Sequence, residues 1–309
     1  MNLVVASRGS ALALRQSEGV AQALRGAHPG LEVEVVPVET RGDRDRRPFG
    51  AIGGKGLFVA EVERAVVEGE ADLAVHSAKD LTAELAEGCA IFCVPERAPA
   101  HDVVVGTSDL GELPPGAVVG TSSMRRRALL AEGRPDLEVT ELRGNLDTRL
   151  RKVEAGEVDA AILAAAGLVR LGAAAGSPID PERWVPAPGQ GALAIEARTD
   201  RTDLSELLAP LNDAAASAEL ACERAFSARL EGGCSVPLGC LARAEGNKVT
   251  VVGYLGLPDG SHALRDRIAG PVSAAAELGV ELADAIYSCG GRDIVEELRE
   301  AERTAPSPP

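Results

Sequence analysis

Aromatic residues are nearly missing from this chain: one Trp, two Tyr and four Phe in 309 residues. A surface that stacks nucleic-acid bases needs such side chains at intervals, and there are too few to build one. Positive charge is also short. Against 47 Asp+Glu stand 32 Lys+Arg, a net charge of -15, which opposes general attraction to nucleic acid or to an anionic membrane. The longest uninterrupted apolar run, 160–169, is too short to cross a bilayer. The first residues carry no basic segment ahead of their short apolar run, and Arg8 interrupts that run, which is not the pattern of a signal peptide. Six cysteines form no CxxC pair and no His/Cys group at zinc spacing, so no metal site is expected. In a reducing compartment they stay thiols. Cys89, Cys93, Cys222, Cys240 and Cys289 read as small buried hydrophobes, whereas Cys234 has a backbone context of its own. A soluble, cytosolic protein is the expectation, and any anion site in so acidic a chain must be local.

What is present is an aliphatic core for two or three domains, 45% of residues being hydrophobic. Strand-like and helix-like runs alternate from Leu3–Ala6 through a helix starting at Ser10, then Leu31–Val38, Leu57–Glu68 and Leu73–Val75. The rhythm starts again at Asp102–Val105 and continues through Ala117–Gly120, a helix from Ser123, Leu137–Leu142, a helix from Leu146 and Ala160–Leu163. That alternation argues for parallel α/β architecture in two similar lobes with a cleft between them. The prolines from Pro178 to Pro188 mark a linker, after which Ala192–Ala197 reads as a strand returning to a sheet. A helical stretch up to Arg229, strands Val249–Leu255 and Ala263–Ile268, and a helix Val272–Tyr287 make a separate α+β unit. The tail from Thr304 reads as disordered. The charged, glycine-rich stretch 41–56 is long enough to be a lid or a disordered loop.

Positive side chains gather where strands give way to helices. Gly120-Thr121-Ser122-Ser123-Met124-Arg125-Arg126 puts hydroxyls and free backbone N–H groups at a helix start, where anions bind. The alternative is that Ser122 or Ser123 only caps the helix and Arg125-Arg126-Arg127 is a solvated face. Arg143-Gly144-Asn145-Leu146-Asp147-Thr148-Arg149 repeats the arrangement at the next junction, and two such junctions at strand carboxyl ends favour a carboxylate-reading site. His76-Ser77-Ala78-Lys79-Asp80 follows a strand at the same edge. Asp80 there is either a general acid or base, or an ion-pair partner of Lys79 or a helix cap; His76 reads as structural. Finally, Leu230-Glu231-Gly232-Gly233-Cys234-Ser235-Val236-Pro237 presents a thiol on an open glycine turn.

Taken together these segments, with Ala6-Ser7-Arg8, Gly53-Gly54-Lys55-Gly56-Leu57-Phe58 and Pro186-Ala187-Pro188-Gly189-Gln190-Gly191-Ala192, closely resemble the porphobilinogen deaminase (hydroxymethylbilane synthase) family. The resemblance implies an α/β fold: two periplasmic-binding-protein-like lobes with mainly parallel sheets, plus a smaller α+β C-terminal domain. Residues 1–97 with 190–208 would form domain 1, 98–189 domain 2 and 209–309 domain 3. It also implies a transferase of tetrapyrrole biosynthesis that is a monomer in the cytosol, with porphobilinogen and the growing polypyrrole as its partners. The cysteine matching Cys234 would hold a dipyrromethane cofactor through a thioether. Four porphobilinogens would be joined to it head to tail with loss of ammonia, and hydrolysis would release the linear tetrapyrrole.

By the same matching, Asp80 is the catalytic carboxylate, assisting ammonia loss and stabilising cationic intermediates. Lys79 and Ser77 lie beside the cofactor, joined by Thr121, Ser123, Arg125, Arg126, Asn145 and Gly189. Arg8, Ser10, Arg143, Arg149, Arg170 and Gln190 hold the substrate arms, with Lys55 and Phe58 at the end of the lid. Each pyrrole carries acetate and propionate, which explains local arginines in an acidic protein. Three residues depart from the usual pattern: Ala51 replaces a second lid lysine, and Ala78 and Thr82 replace the methionine and proline around the Lys-Asp pair. These changes would alter rate before chemistry. A noncatalytic two-lobed binder of organic anions would explain the cleft and arginines but gives Cys234 no role. An RNA-binding module would need stacking aromatics.

Overall fold

The computed structural model describes residues 2–44, 59–173, 175–231 and 236–304. Lys55, Phe58, Cys234, Ala51, the lid stretch from 45 onward and the tail 305–309 lie outside the described residues.

The first lobe starts with β1 (Asn2–Arg8), α1 (Ala11–Ala27) and β2 (Glu32–Val38). Ser10 caps α1, its Oγ accepting from the Ala13 N–H at 3.3 Å, and Ala13, Gln16, Ser17, Val20, Ala21 and Leu24 form the buried stripe at helical spacing. β1 pairs parallel with both β2 and β3 (Leu73–Ser77), with α2 (Ala60–Val67) between β2 and β3 in the chain. These strands run toward the cleft, so Arg8 and the turn after Ser77 arrive at one edge. β4 (Cys89–Cys93) lies at the far side of the sheet, whose order is β2-β1-β3-β10-β4 with β10 being Leu193–Arg198.

The chain then crosses to the second lobe, where β5 (Asp102–Val105), β6 (Val118–Gly120), α3 (Met124–Gly133), β7 (Glu138–Thr140), α4 (Leu146–Glu154), β8 (Ala160–Ala164), α5 (Ala165–Leu171) and β9 (Ser177–Pro178) make a sheet of order β7-β6-β8-β5-β9. It crosses back and enters the first sheet as β10 (Leu193–Arg198), between β3 and β4. Both sheets are therefore mixed. β6 pairs parallel with β7 and β8, but β5 runs antiparallel to β8, and β10 antiparallel to β3 and β4. The reason is where the chain arrives. A strand that enters a lobe from the crossing starts at the cleft and runs away from it, opposite to strands that end there. Asp102, the first residue of β5, is thereby set level with Ala164, the last of β8.

α6 (Asp203–Leu208) completes the first lobe, its Leu204 and Leu208 lying in the core with Leu3 and Val5; the third unit then comprises α7 (Ala214–Arg229), the antiparallel sheet β11 (Leu238–Glu245), β12 (Lys248–Gly256), β13 (Ala263–Pro271), and the helices α8 (Ala275–Ile286) and α9 (Arg292–Thr304). α7 and α8 pack tightly enough that a side chain at Gly279 would meet the Cys222 carbonyl. Strand alternation sends Val249 and Val251 toward Phe226, Leu282 and Ile286, and sends Val252 and Tyr254 to the other face, against Leu130, Trp184 and Val185 of the second lobe. Burying each such side chain contributes about 1.5–3 kcal/mol. Cys93, Cys222 and Cys240 are buried as expected, but Cys89 is only half-buried and Cys289 is exposed. The first opens the edge-lying strand β4, and the second sits in the kinked turn Tyr287–Gly291 ahead of α9.

Candidate active site

The two crossings between the lobes are tied to the third unit by one carboxylate. Glu223 of α7 is fully buried and accepts from both terminal nitrogens of Arg97 (2.8 and 2.9 Å), from the Gly189 N–H (2.6 Å) and from the Ala242 N–H (2.9 Å). Four donors on two oxygens suit only the ionised form. Arg97 in turn donates to the Gln190 carbonyl, at 3.1 Å from Nε. Gly189, in the left-handed region at φ +73°, lies so close to the turn after β3 that a Cβ would stand 2.9 Å from the Lys79 nitrogen. The crossing segment and the Lys79-Asp80 turn are thus fixed against each other.

Asp80 ends a helical turn, Ala78–Asp80, at the mouth of β3, and its Oδ2 is 3.8 Å from the Arg8 guanidinium at the end of β1. Both side chains keep access to water. Lys79 Nζ is 3.5 Å from Gln190 Oε1. The amine is walled by both lobes yet open to cleft water. Loss of hydration lowers its pKa, to about 8; Asp80 and Asp102 oppose the shift, and Arg126 and Arg125 add to it. Its charge is therefore present below that pH and fades as the pH rises through it. Cleft water moderates the effect.

Arg125 and Arg126, at the start of α3, are buried rather than solvated. Arg125 donates to Asp102 Oδ2 (2.8 Å) and the Val185 carbonyl (2.8 Å); Arg126 donates to Asp102 Oδ1 (2.6 Å) and the Ile162 carbonyl (2.7 Å). Burial would raise the Asp102 pKa, but the two guanidinium groups outweigh it and hold the carboxyl well below the usual range. The Nε–H of each arginine is buried with no partner among the described residues. An unpaired charged donor in such a place is costly. The cations that keep access to the cleft, Arg8 and Lys79, fit a carboxylated pyrrole.

Across the cleft Arg149 donates from Nε to the Gly144 carbonyl at 2.8 Å; burial, with Arg126 adding and Asp80 opposing, lowers its pKa to about 10. It thus lies within electrostatic reach of Asp80 while belonging to the other lobe. Arg170 donates to the Gly191 carbonyl at 2.7 Å, and burial lowers it to about 10 as well. Both remain charged near neutrality.

The other predicted residues hold the frame. Ser123 caps α3, accepting from the Arg126 N–H, while the Thr121 hydroxyl accepts from the Ser123 N–H at 3.2 Å. Ser77 exchanges hydrogen bonds with Gln16, at 3.0 Å from Nε2. Asn145 precedes α4 with no side-chain cap bond and is exposed, and Arg143 reaches Glu141 at 2.8 Å. His76 lies behind the cleft, its Nε2 3.0 Å from the buried Glu196. Sequence reasoning passed over Asp102, Gln16 and the Arg97–Glu223 pair. The available signal for Asp102 was an acid placed directly before three valines in a strand.

No helix among the described residues is long and apolar enough to cross a membrane, and no group of three or more metal-ligating side chains occurs among them. Among solved structures the chain is similar to YhfZ from Shigella flexneri (21% identity over 74% of this chain and 91% of that one, TM-score 0.36). It is also similar to the methionine-binding protein MetQ (15%, 68% and 89%, TM-score 0.45) and to lipoprotein Tp32 from Treponema pallidum (13%, 68% and 90%, TM-score 0.43). At these scores the likeness is partial. The family comparison reaches much further: residues 3–206 match the porphobilinogen deaminase dipyrromethane cofactor binding domain and residues 217–288 match the porphobilinogen deaminase C-terminal domain. The cleft that gathers Asp80, Lys79 and the arginines lies within the first match, and the chain belongs to the porphobilinogen deaminase family.

Proposed function

We propose that this chain is a hydroxymethylbilane synthase: it joins four porphobilinogens head to tail on a dipyrromethane held by Cys234 through a thioether, losing one ammonia at each step, and releases the linear tetrapyrrole by hydrolysis. The observation that carries this reading is Asp80, a partly exposed carboxylate set among the cations Arg8, Lys79 and Arg149 drawn from both lobes, with Asp102 buried behind Arg125 and Arg126. When bound, the dipyrromethane supplies a nucleophilic pyrrole carbon. Lys79, Arg125 and Arg126 would hold its carboxylates, with Ser77, Thr121, Ser123, Asn145 and Gly189 shaping the wall around them. Arg8, Ser10, Arg143, Arg149, Arg170 and Gln190, with Lys55 and Phe58, would orient incoming substrate. Asp80 would hand a proton to the departing amine and offset positive charge at the carbon left behind.

The intact mass of the purified chain tests the reading. It should exceed the sequence mass by one dipyrromethane, with the adduct on the peptide containing Cys234. An unmodified chain that nevertheless turns over porphobilinogen would sink it, and an unmodified, inactive chain that binds polycarboxylates would establish the noncatalytic binder.

The arginine assignments separate on a conservative change. Arg143→Lys keeps the charge but loses the planar fork, so a clamp on a pyrrole carboxylate should weaken by about ten- to a hundredfold in elongation rate. Arg292, stacked 5.1 Å over Tyr287 and outside the cleft, should tolerate the same change. Trapped-intermediate mass spectra would show where elongation stalls, and equal, negligible effects at both positions would remove Arg143 from the site.

A further inference from the structure

We propose, building on the function above, that Asp102 is the positioning residue of the anion site: one buried carboxylate fixes the planes in which Arg125 and Arg126 stand and keeps Gln190 against Lys79. Asp102 is wholly inaccessible to solvent and accepts four hydrogen bonds. Oδ1 takes Arg126 (2.6 Å) and Gln190 Nε2 (2.9 Å), and Oδ2 takes Arg125 (2.8 Å) and Trp184 Nε1 (2.9 Å). Each oxygen therefore pairs one guanidinium of α3 with one neutral donor of the crossing segment. Since the other terminal nitrogens go to the Val185 and Ile162 carbonyls, each guanidinium has a fixed plane, with its Nε–H enclosed and without a partner among the described residues. Gln190, anchored to Asp102 and to the Ala100 carbonyl at 2.6 Å, turns its oxygen to Lys79. Three cations of the site thus take their orientation from one group that touches no substrate.

Charge bookkeeping points the same way. Asp102 is the counter-ion buried between Arg125 and Arg126, so it leaves them attractive to a carboxylate without a surplus that would trap every intermediate equally. An amide in its place offers one acceptor and one donor. Facing four donors, it must release at least one arginine.

The test uses the full-length chain prepared without its primer and then loaded by incubation with porphobilinogen, as wild type, Asp102→Asn and Asp102→Glu. Primer occupancy is read by intact mass, the melting temperature is read for unloaded and loaded forms, and trapped intermediates are read by mass spectrometry. Wild type should melt several degrees higher when loaded, as for any group that binds only the native state. In Asp102→Asn that increment should fall by at least half, and elongation should slow about tenfold or more, stalling at the first additions. Asp102→Glu keeps the charge but displaces both forks by one methylene; it should load and still stall. A purely structural role would lower both melting temperatures together, leaving the increment and the intermediates unchanged, and that result overturns the proposal. Where Asp102→Asn does not fold, the same comparison on Asp102→Glu decides. A wild-type chain that acquires no primer mass would instead overturn the functional reading beneath.

Discussion

Asp80→Asn should give a folded chain that acquires the primer and then turns over about 10²–10⁴-fold more slowly. The amide matches the carboxylate in shape, and the side chain is partly open to water, so little packing is disturbed. What is lost is the ability to exchange a proton and the negative charge beside Arg8, Lys79 and Arg149. Its ion-pair partner Arg8 stands 3.8 Å away, too long for a tight hydrogen-bonded pair. An exposed pair of that kind contributes at most about 1 kcal/mol to stability. The two roles therefore predict different profiles. A structural Asp80 would cost a small amount of melting temperature with turnover near normal, whereas a catalytic one costs turnover with little change in melting. Single-turnover kinetics with mass detection separates them, because loss of chemistry leaves the primer on the chain and removes the higher intermediates. Near-normal turnover would reduce Asp80 to a surface ion pair.

Much of the lobe architecture was legible because its elements announce themselves locally. Ser10 and Ser123 cap the helices they precede, and the aliphatic runs of β1, β3 and β6 end at polar residues beside the cleft. The direction of β5 and β10 was not legible, since it depends on where the chain re-enters a sheet rather than on any feature of Asp102–Val105 or Leu193–Arg198. Cys89–Cys93 and Leu238–Glu245 passed unnoticed as strands, the first being short and the second following closely on the Gly232-Gly233-Cys234 sequence and Pro237. The same limit applies to the site. Helical periodicity left Arg125 and Arg126 open to a solvated reading, because what buries them is the returning segment 184–190 and an aspartate whose four donors lie 23, 24, 82 and 88 residues along the chain. The residue types at the strand ends were readable. Their common anchor, assembled entirely from distant contacts, was not.

Cys234→Ser should leave a chain without primer and without measurable turnover, melting where unloaded wild type melts. Thioether formation needs a thiolate, and a serine hydroxyl at neutral pH supplies no comparable nucleophile. The rest of the molecule offers few substitutes. Burial pushes the thiols of Cys93 and Cys222 up to about 12, raises Cys240 well above the ordinary value, and, with Glu196 adding, takes Cys89 to about 11. Those four are protonated and largely enclosed, so they are poor nucleophiles. Cys289 alone among the described cysteines is exposed. It is therefore the control: Cys289→Ser should keep both primer and activity, whereas Cys234→Ser loses both while its circular dichroism stays that of the folded chain. Glu231, at φ +52°, is the one non-glycine residue in the left-handed region among the described residues, and it directly precedes the glycine pair before Cys234. A primer-sized adduct that persists in Cys234→Ser, or that disappears in Cys289→Ser, would move the attachment point and with it the role assigned to the glycine turn.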